Sequence, residues 1–441
     1  MHNGGAASPL QFTGLHVLGI VPLLALRVSC SEVFMKAATA CVKITPQGEF
    51  YLDGYGSDER RLPALGVHDD PYAVLLLLDY GSSRVLFVSI DVCIITLERT
   101  RAMRQLLTKA LDIDNTNIVV SSIHSHSCPT GLREGGLIDK ESYGWPEMVA
   151  GVIVQAATAL PSKLTDVKAE MLKVHVRGWY SNRNSKDKPF DDEAYVIRFK
   201  DSSGNPVAGM LNFNCHATVV GPTNRYLSTD LQGAVREKIA AWMGVMPYAF
   251  TGASGDLGNR QFRQGSDFSE LERTACGIAH AIMMGRFQSL SLNEPSVSVF
   301  RKVVDYDNTE YFETYREKLA RAQSVLDDSA SSFDEKKLAR TEVQRMNERL
   351  ATARMTFPID MRVYDFGELV IVTFPGELGS SLGMRIKGMF GDRPVLMIGY
   401  ANDYQGYFVP AEDFGLGYES NVTKLPAGGI ERILDEFEDQ L

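Results

Sequence analysis

The stretch YAVLLLLDYGSSRVLFVSIDV, Tyr72 to Val92, constrains the fold most. Two short apolar runs flank a Gly-Ser turn, so they read as paired strands. Leu97 to Leu111 follows with Met and Leu at helical spacing, and NIVVSSIH, Asn117 to His124, is a further buried strand. Strand, helix, strand is the signature of an α/β fold. The expected architecture is a single large domain over residues 35–441, with a mixed β-sheet core flanked by helices.

The rest of the chain fits that expectation. AATACVKITP is β-prone and stops at Pro46; Tyr143 to Leu160 reads as a helix and Asp192 to Lys200 as a strand. GMLNFNCHATVVG, Gly209 to Gly221, again closes an apolar strand on a histidine. Leu231 to Met243 is expected to be helical, Tyr248 to Thr251 a short strand, and Phe268 to Leu290 one apolar-faced helix. Thr309 to Ala353 is rich in Glu, Lys, Arg, Gln and Ala with a break at Ser329 to Ser332, which predicts a charged helical hairpin inserted on the core. Two strands (Arg362 to Phe366 and Leu369 to Phe374), a helix from Gly379, the strand VLMIGYA and an acidic helix close the chain. No sequence repeat or linker is visible.

With 441 residues and a net charge of −10, Lys and Arg dispersed, the chain carries no nucleic-acid footprint. No apolar run reaches the roughly 18 residues that span a bilayer. Leu15 to Leu26 has the length of a signal core but lacks a basic segment before it, and Arg27 interrupts the approach to Cys30. Residues 1–34 therefore read as an extension or a poor signal-like segment, with Met35 an alternative start. Cytoplasmic and secreted or periplasmic placement both stay open, the cytoplasm somewhat favoured. The six cysteines are widely spaced without a C-x-x-C pair, which is not a disulfide framework.

The chemistry gathers at strand ends. His124 and His126, two apart in SIHSHSCP, would share one strand face about 6.5–7 Å apart. That is half a zinc site or a pair of hydrogen-bonding histidines. His216 ends a second strand, Glu377 follows a third in IVTFPGELG, and Tyr404 and Tyr407 follow a fourth in VLMIGYANDYQGYF. Ligands of open α/β sheets collect at the carboxyl ends of strands, so these groups have one place to meet. Asp91 in VSIDV is positioned to orient a ligand histidine. His68, Asp69 and Asp70 read as a turn.

KITP, DGYG, GVHDDPYA, SIHSHS, NRN, NCHATVV, STDLQGA, GASGDLGNR, FPGELG and GYANDYQGYFV occur in the order seen in the neutral/alkaline ceramidase family, which the chain resembles from about Met35 to its end. The resemblance implies a catalytic Zn2+ held by His124, His216, Glu377 and Tyr407, with His126 beside it. It implies that Arg183, in SNRNS, holds a substrate carbonyl or its oxyanion. It also implies a nucleophilic serine in a G-D-x-S-P-N motif, where this chain reads GDLGNR and has Gly258. Ser254 is four residues out of register, and Cys128 stands where the family has glycine. The immunoglobulin-like C-terminal domain of the long members has no counterpart, so the chain is similar to the shorter bacterial relatives.

The expected function is zinc-dependent hydrolysis of an amide or related acyl bond by metal-activated water, with His126 or Asp256 as general base and Arg183 facing the oxyanion. The substrate would be a small-molecule or lipid-like amide, not necessarily ceramide; the oligomeric state is open. Two alternatives are a cysteine-assisted hydrolase using Cys128 and a non-catalytic ligand-binding relative.

Overall fold

The structure, a computed structural model, describes residues 35–133 and 144–441. Leu15 to Leu26, Cys30 and Tyr143 lie outside them. The unbroken apolar run of Tyr72 to Ile90 exists because its strands are buried on both faces. Val74, Leu76 and Phe87 point into a core shared with Ile197, Phe250 and Ile371 from elsewhere in the chain. Leu75, Leu77 and Val88 point the other way, onto Leu107 and Ile153 of two helices. Each such side chain contributes roughly 1.5–3 kcal/mol of burial.

Three sheets surround the shared core. The first holds β1 (Lys36–Lys43), β2 (Tyr72–Asp79), β3 (Arg84–Ile90) and β4 (Ile118–Ser122), in the order β4-β3-β2-β1. The second holds β5 (Lys168–His175), β6 (Glu193–Lys200), β7 (Pro206–Asn212) and β8 (Tyr248–Phe250), in the order β8-β7-β6-β5. The third holds β9 (Leu292–Asp307), β10 (Arg354–Gly367), β11 (Val370–Thr373) and β12 (Val395–Ile398), in the order β9-β10-β11-β12.

The same unit thus occurs three times, although the sequence shows no repeat. Three strands meander antiparallel, a helix crosses over, and a fourth strand pairs parallel to the third. The crossover helices are Leu97–Leu111, Asp230–Met243 and Ser380–Gly388. A further helix follows each fourth strand: Trp145–Ala159, Phe268–Met283 and, after the short helix Gly417–Val422, Gly429–Glu438. In the first two units the chain then returns as a short edge strand, Thr165–Asp166 beside β1 and Gln288–Leu290 beside β5.

The parallel pairs β3/β4, β7/β8 and β11/β12 are tied together. Ser89 Oγ donates to the Ala249 carbonyl at 2.6 Å, Ser121 Oγ and Tyr248 Oη are 2.9 Å apart, and Asn402 N donates to Val120 O at 2.7 Å. Their carboxyl ends converge, so the six following loops share one site.

Two expectations change. The helix from Phe268 stops at Met283, and just beyond it Gly285 packs against Val174 and Leu172, where a Cβ would meet Val174 Cγ1 at 2.6 Å. Residues 288–290 become the edge strand instead. The predicted hairpin, helices Phe312–Asp327 and Phe333–Leu350, sits at the tip of a long ribbon made by β9 and β10. Ser332 and Glu335 form a reciprocal cap at the second helix. All described residues belong to one compact unit, and none of their helices is long and apolar enough to cross a membrane.

Candidate metal centre

β4 ends at Ser122, so His124 and His126 are not successive residues on one strand face, as their spacing suggests. The chain leaves the sheet at Ile123, whose N–H bonds the Ile90 carbonyl at 3.3 Å. His124 then takes the left-handed conformation at φ 58°, and Ser125 bridges to Ala217. This turn, rather than the strand repeat, brings the two rings to 4.7 Å between centroids at 88°. Non-glycine residues in that region cost free energy and collect at functional sites. His216 lies four residues beyond β7, with its N–H on the Leu257 carbonyl at 3.3 Å. Glu377 and Tyr407 are register partners in a short parallel pairing, Glu377–Leu378 against Tyr407–Phe408.

Backbone carbonyls set the tautomers. His124 Nδ1 lies 2.9 Å from Cys93 O, His216 Nδ1 2.8 Å from Ser254 O, and His126 Nδ1 2.8 Å from Gly54 O. A carbonyl only accepts, so each Nδ1 carries the proton and each Nε2 presents a lone pair. Burial holds His216 down to about 4 and His126 well below its usual range, so both imidazoles are neutral at neutral pH.

Those lone pairs face a carboxylate. Glu377 Oε2 is 2.9 Å from His216 Nε2 and 3.4 Å from His124 Nε2, all nearly inaccessible. The other oxygen, Oε1, accepts from the Tyr404 hydroxyl. Oε2 itself receives no donor, since the neighbouring nitrogens have none to give. Three acceptors converging in a dry pocket repel one another, and a cation relieves that repulsion. One ligand atom each from His124, His216 and Glu377 lie within 4.8 Å of one another. Two imidazoles and a carboxylate are a donor set that fits a divalent transition metal, with the Tyr407 hydroxyl 3.3 Å from His216 Nε2 beside them. Cys93, His124 and His126 also cluster, but the Cys93 sulfur lies 3.8 Å from the protonated Nδ1 of His124.

The flanks carry the other expected residues. Arg183 Nη2 reaches the Tyr407 hydroxyl at 3.3 Å, and its Nε donates to Glu419. Asp256 stands in the same cleft wall as Glu377 and Tyr407, but Asn182 Nδ2 at 2.7 Å and Ser380 N at 2.8 Å engage its two oxygens. Gly258 faces Arg183, whose Cβ lies 3.9 Å from where a side chain would begin. Ser254 contributes its carbonyl to His216, and its hydroxyl is 3.0 Å from Tyr400 Oη. Cys128 is fully buried with its sulfur on Ser228 O at 3.4 Å, and burial pushes its thiol well above the usual range.

Asp91 does not orient a histidine. Both its oxygens pair with Arg236 at 2.6 Å, a fully buried bidentate bridge, so the backbone carbonyls of Cys93, Gly54 and Ser254 take that role. Three further contributors were not anticipated. Tyr400 stacks on His124 at 4.1 Å between centroids, Gly54 lies so close to His126 that a Cβ would meet its Cα at 2.4 Å, and Glu419 holds Arg183. The DGYG turn signals Gly54; nothing near Glu419 in sequence marks it.

A family profile described as neutral/alkaline non-lysosomal ceramidase, N-terminal, matches residues 42–246. Neutral ceramidase A of Dictyostelium discoideum is 26% identical over 189 residues, 38% of this chain and 26% of that protein. Neutral ceramidase of Oryza sativa subsp. japonica is 26% identical over 235 residues, 48% of this chain and 30% of that protein. The matched region thus spans under a third of these curated relatives. A crystal structure of neutral ceramidase from Pseudomonas aeruginosa superposes with a TM-score of 0.69 at 16% identity, over 92% of this chain and 74% of that one. That likeness extends the shared fold beyond the segment aligned in sequence.

Proposed function

Because this chain belongs to the neutral/alkaline non-lysosomal ceramidase family, we propose that it hydrolyses an amide or related acyl bond with a bound Zn2+ ion. The observation that carries the reading is the donor-free Glu377 Oε2 facing the Nε2 atoms of His124 and His216. Those three residues would hold the ion, with Tyr407 at its edge. Zinc bound there supplies Lewis acidity to a carbonyl and lowers the pKa of water towards about 7.

The protein's own groups do the rest. Arg183 points Nη2 at Tyr407 and stabilises negative charge developing on the carbonyl oxygen. His126 is the general base: its Nε2 is bare, 3.1 Å from His124 Nε2, while Asp256 is committed to Asn182 and Ser380. Gly258 has no hydroxyl to acylate, so the attacking oxygen comes from water. Phe408, Val409, Pro410 and Leu416 line the cleft beside Glu377 and Tyr407 and offer an apolar wall to an acyl group.

The test is a panel of amides and esters assayed with purified protein. Hydrolysis lost on chelation, restored by Zn2+ and insensitive to thiol alkylation supports the reading. Activity that survives chelation but not alkylation overturns it in favour of Cys128. Full metal occupancy without turnover favours a binding protein.

A further inference from the structure

The chain is acidic overall, yet a turn with two arginines and a neighbouring lysine lies beside the strand end that carries Arg183. The Leu257–Gly258 segment pairs antiparallel with Ser181–Asn182, which stitches the turn that follows to the strand end carrying Arg183. That turn reads Asn259-Arg260-Gln261-Phe262-Arg263, and it is closed by the N–H groups of Phe262 and Arg263 on the Asn259 carbonyl at 2.8 and 2.9 Å. Gln261 Nε2 reaches the Arg183 carbonyl at 3.4 Å, and Lys186 Nζ sits 4.8 Å over the Phe262 ring.

Arg260 and Arg263 are exposed and have no carboxylate partner among the described residues. The carboxylates around the cleft are already engaged: Glu419 by Arg183 and Asn184, Asp413 by Lys188, Asp256 by Asn182 and Ser380 N. The Arg260 guanidinium is held below its usual value, by partial burial first and then by the like charges of Arg183 and Arg263. The turn therefore lies against the strand end that carries Arg183, the residue that faces the carbonyl.

Two guanidiniums without a carboxylate partner, on a turn stitched to the strand end of Arg183 in a protein of net charge −10, are complementary to an anion. We propose that Arg260 and Arg263 bind an anionic group, carboxylate or phosphate, carried by the substrate beside its scissile amide. The enzyme then acts on acidic amides such as N-acyl amino acids in preference to neutral ones. The inference rests on the amide-hydrolase reading and adds the substrate's charge to it.

The experiment uses metal-loaded protein and three probes of one acyl length: N-octanoylglycine, N-octanoyl-O-phosphoethanolamine and neutral N-octanoylethanolamine. The expected result is a kcat/KM for one anionic probe roughly tenfold or more above the neutral one, the size of one charge-assisted hydrogen bond, carried by KM and falling with salt. The better anion identifies the group. In Arg260→Gln/Arg263→Gln the ratio of charged to neutral collapses to about one. A wild-type ratio near one, or a ratio that survives in the double variant, overturns the proposal. If no probe is hydrolysed, calorimetric binding of the same probes separates the two readings. Anion-selective binding lost in the double variant keeps the anion site and removes the hydrolase; equal or absent binding removes the anion site.

Discussion

Tyr404 donates its hydroxyl to Glu377 Oε1 and thereby leaves Oε2 as the oxygen that faces His124 and His216. Groups that orient a ligand in this way typically change metal affinity by about 10–100-fold. Tyr404→Phe is therefore expected to weaken zinc binding by that factor, read by competition with a chelating dye, while the apo protein stays folded by circular dichroism. Unchanged affinity would show that Glu377 needs no such support.

His124 holds its ring in place through a left-handed backbone at φ 58°. Asparagine tolerates that conformation and valine does not. His124→Asn is expected to unfold in urea within about 1 kcal/mol of the wild-type apo protein yet bind no zinc. His124→Val should be a further 1–2 kcal/mol or so less stable. Equal stability of the two would mean the turn relaxes.

Two glycines of GASGDLGNR should respond differently. A Cβ on Gly255 would meet the Glu377 carbonyl at 2.8 Å, whereas one on Gly258 meets nothing closer than 3.9 Å. Gly255→Ala is expected to cost about 1–3 kcal/mol and to weaken metal binding by displacing Glu377. Gly258→Ala and Gly258→Ser should melt close to the wild type. Thermal denaturation and dye competition on the three variants check both statements.

Away from the site, Lys387 Nζ lies 2.6 Å from Asp191 Oδ2 and 3.0 Å from Glu193 Oε2. Burial pushes the Glu193 carboxyl up, but Lys387 and then the bonds from Lys173 and Tyr195 outweigh it and hold it at about 2. A depressed carboxyl stabilises the fold above its unfolded value near 4.3 and loses that contribution as pH falls towards 2. Lys387→Met is expected to cost about 3 kcal/mol at pH 7, with the difference shrinking as pH falls from about 4 to about 2. Denaturant titrations across that range read the slope.

Much of this was legible in the chain because strand ends carry their own markers. Apolar runs that close on His124, His216, Glu377 and Tyr407 announce both the strands and the polar groups beyond them. What was hidden depends on the third dimension. The His124 turn lies past the strand, so period-two spacing misplaces it even while naming the right pair. The threefold repeat is carried by strand order alone. β9 was missed although SVSVFRKVV alternates, because the charged residues on its outer face resemble a solvated loop. Glu419 and Arg183 are 236 positions apart, and no local pattern predicts that they meet.

The most direct test of the metal centre is metal content with anomalous scattering on protein supplied with zinc. One transition-metal ion per chain is expected, bounded by His124, His216 and Glu377, and it is lost in His216→Ala with the fold retained. Zinc-supplied wild-type protein with no ion between those three side chains would contradict it.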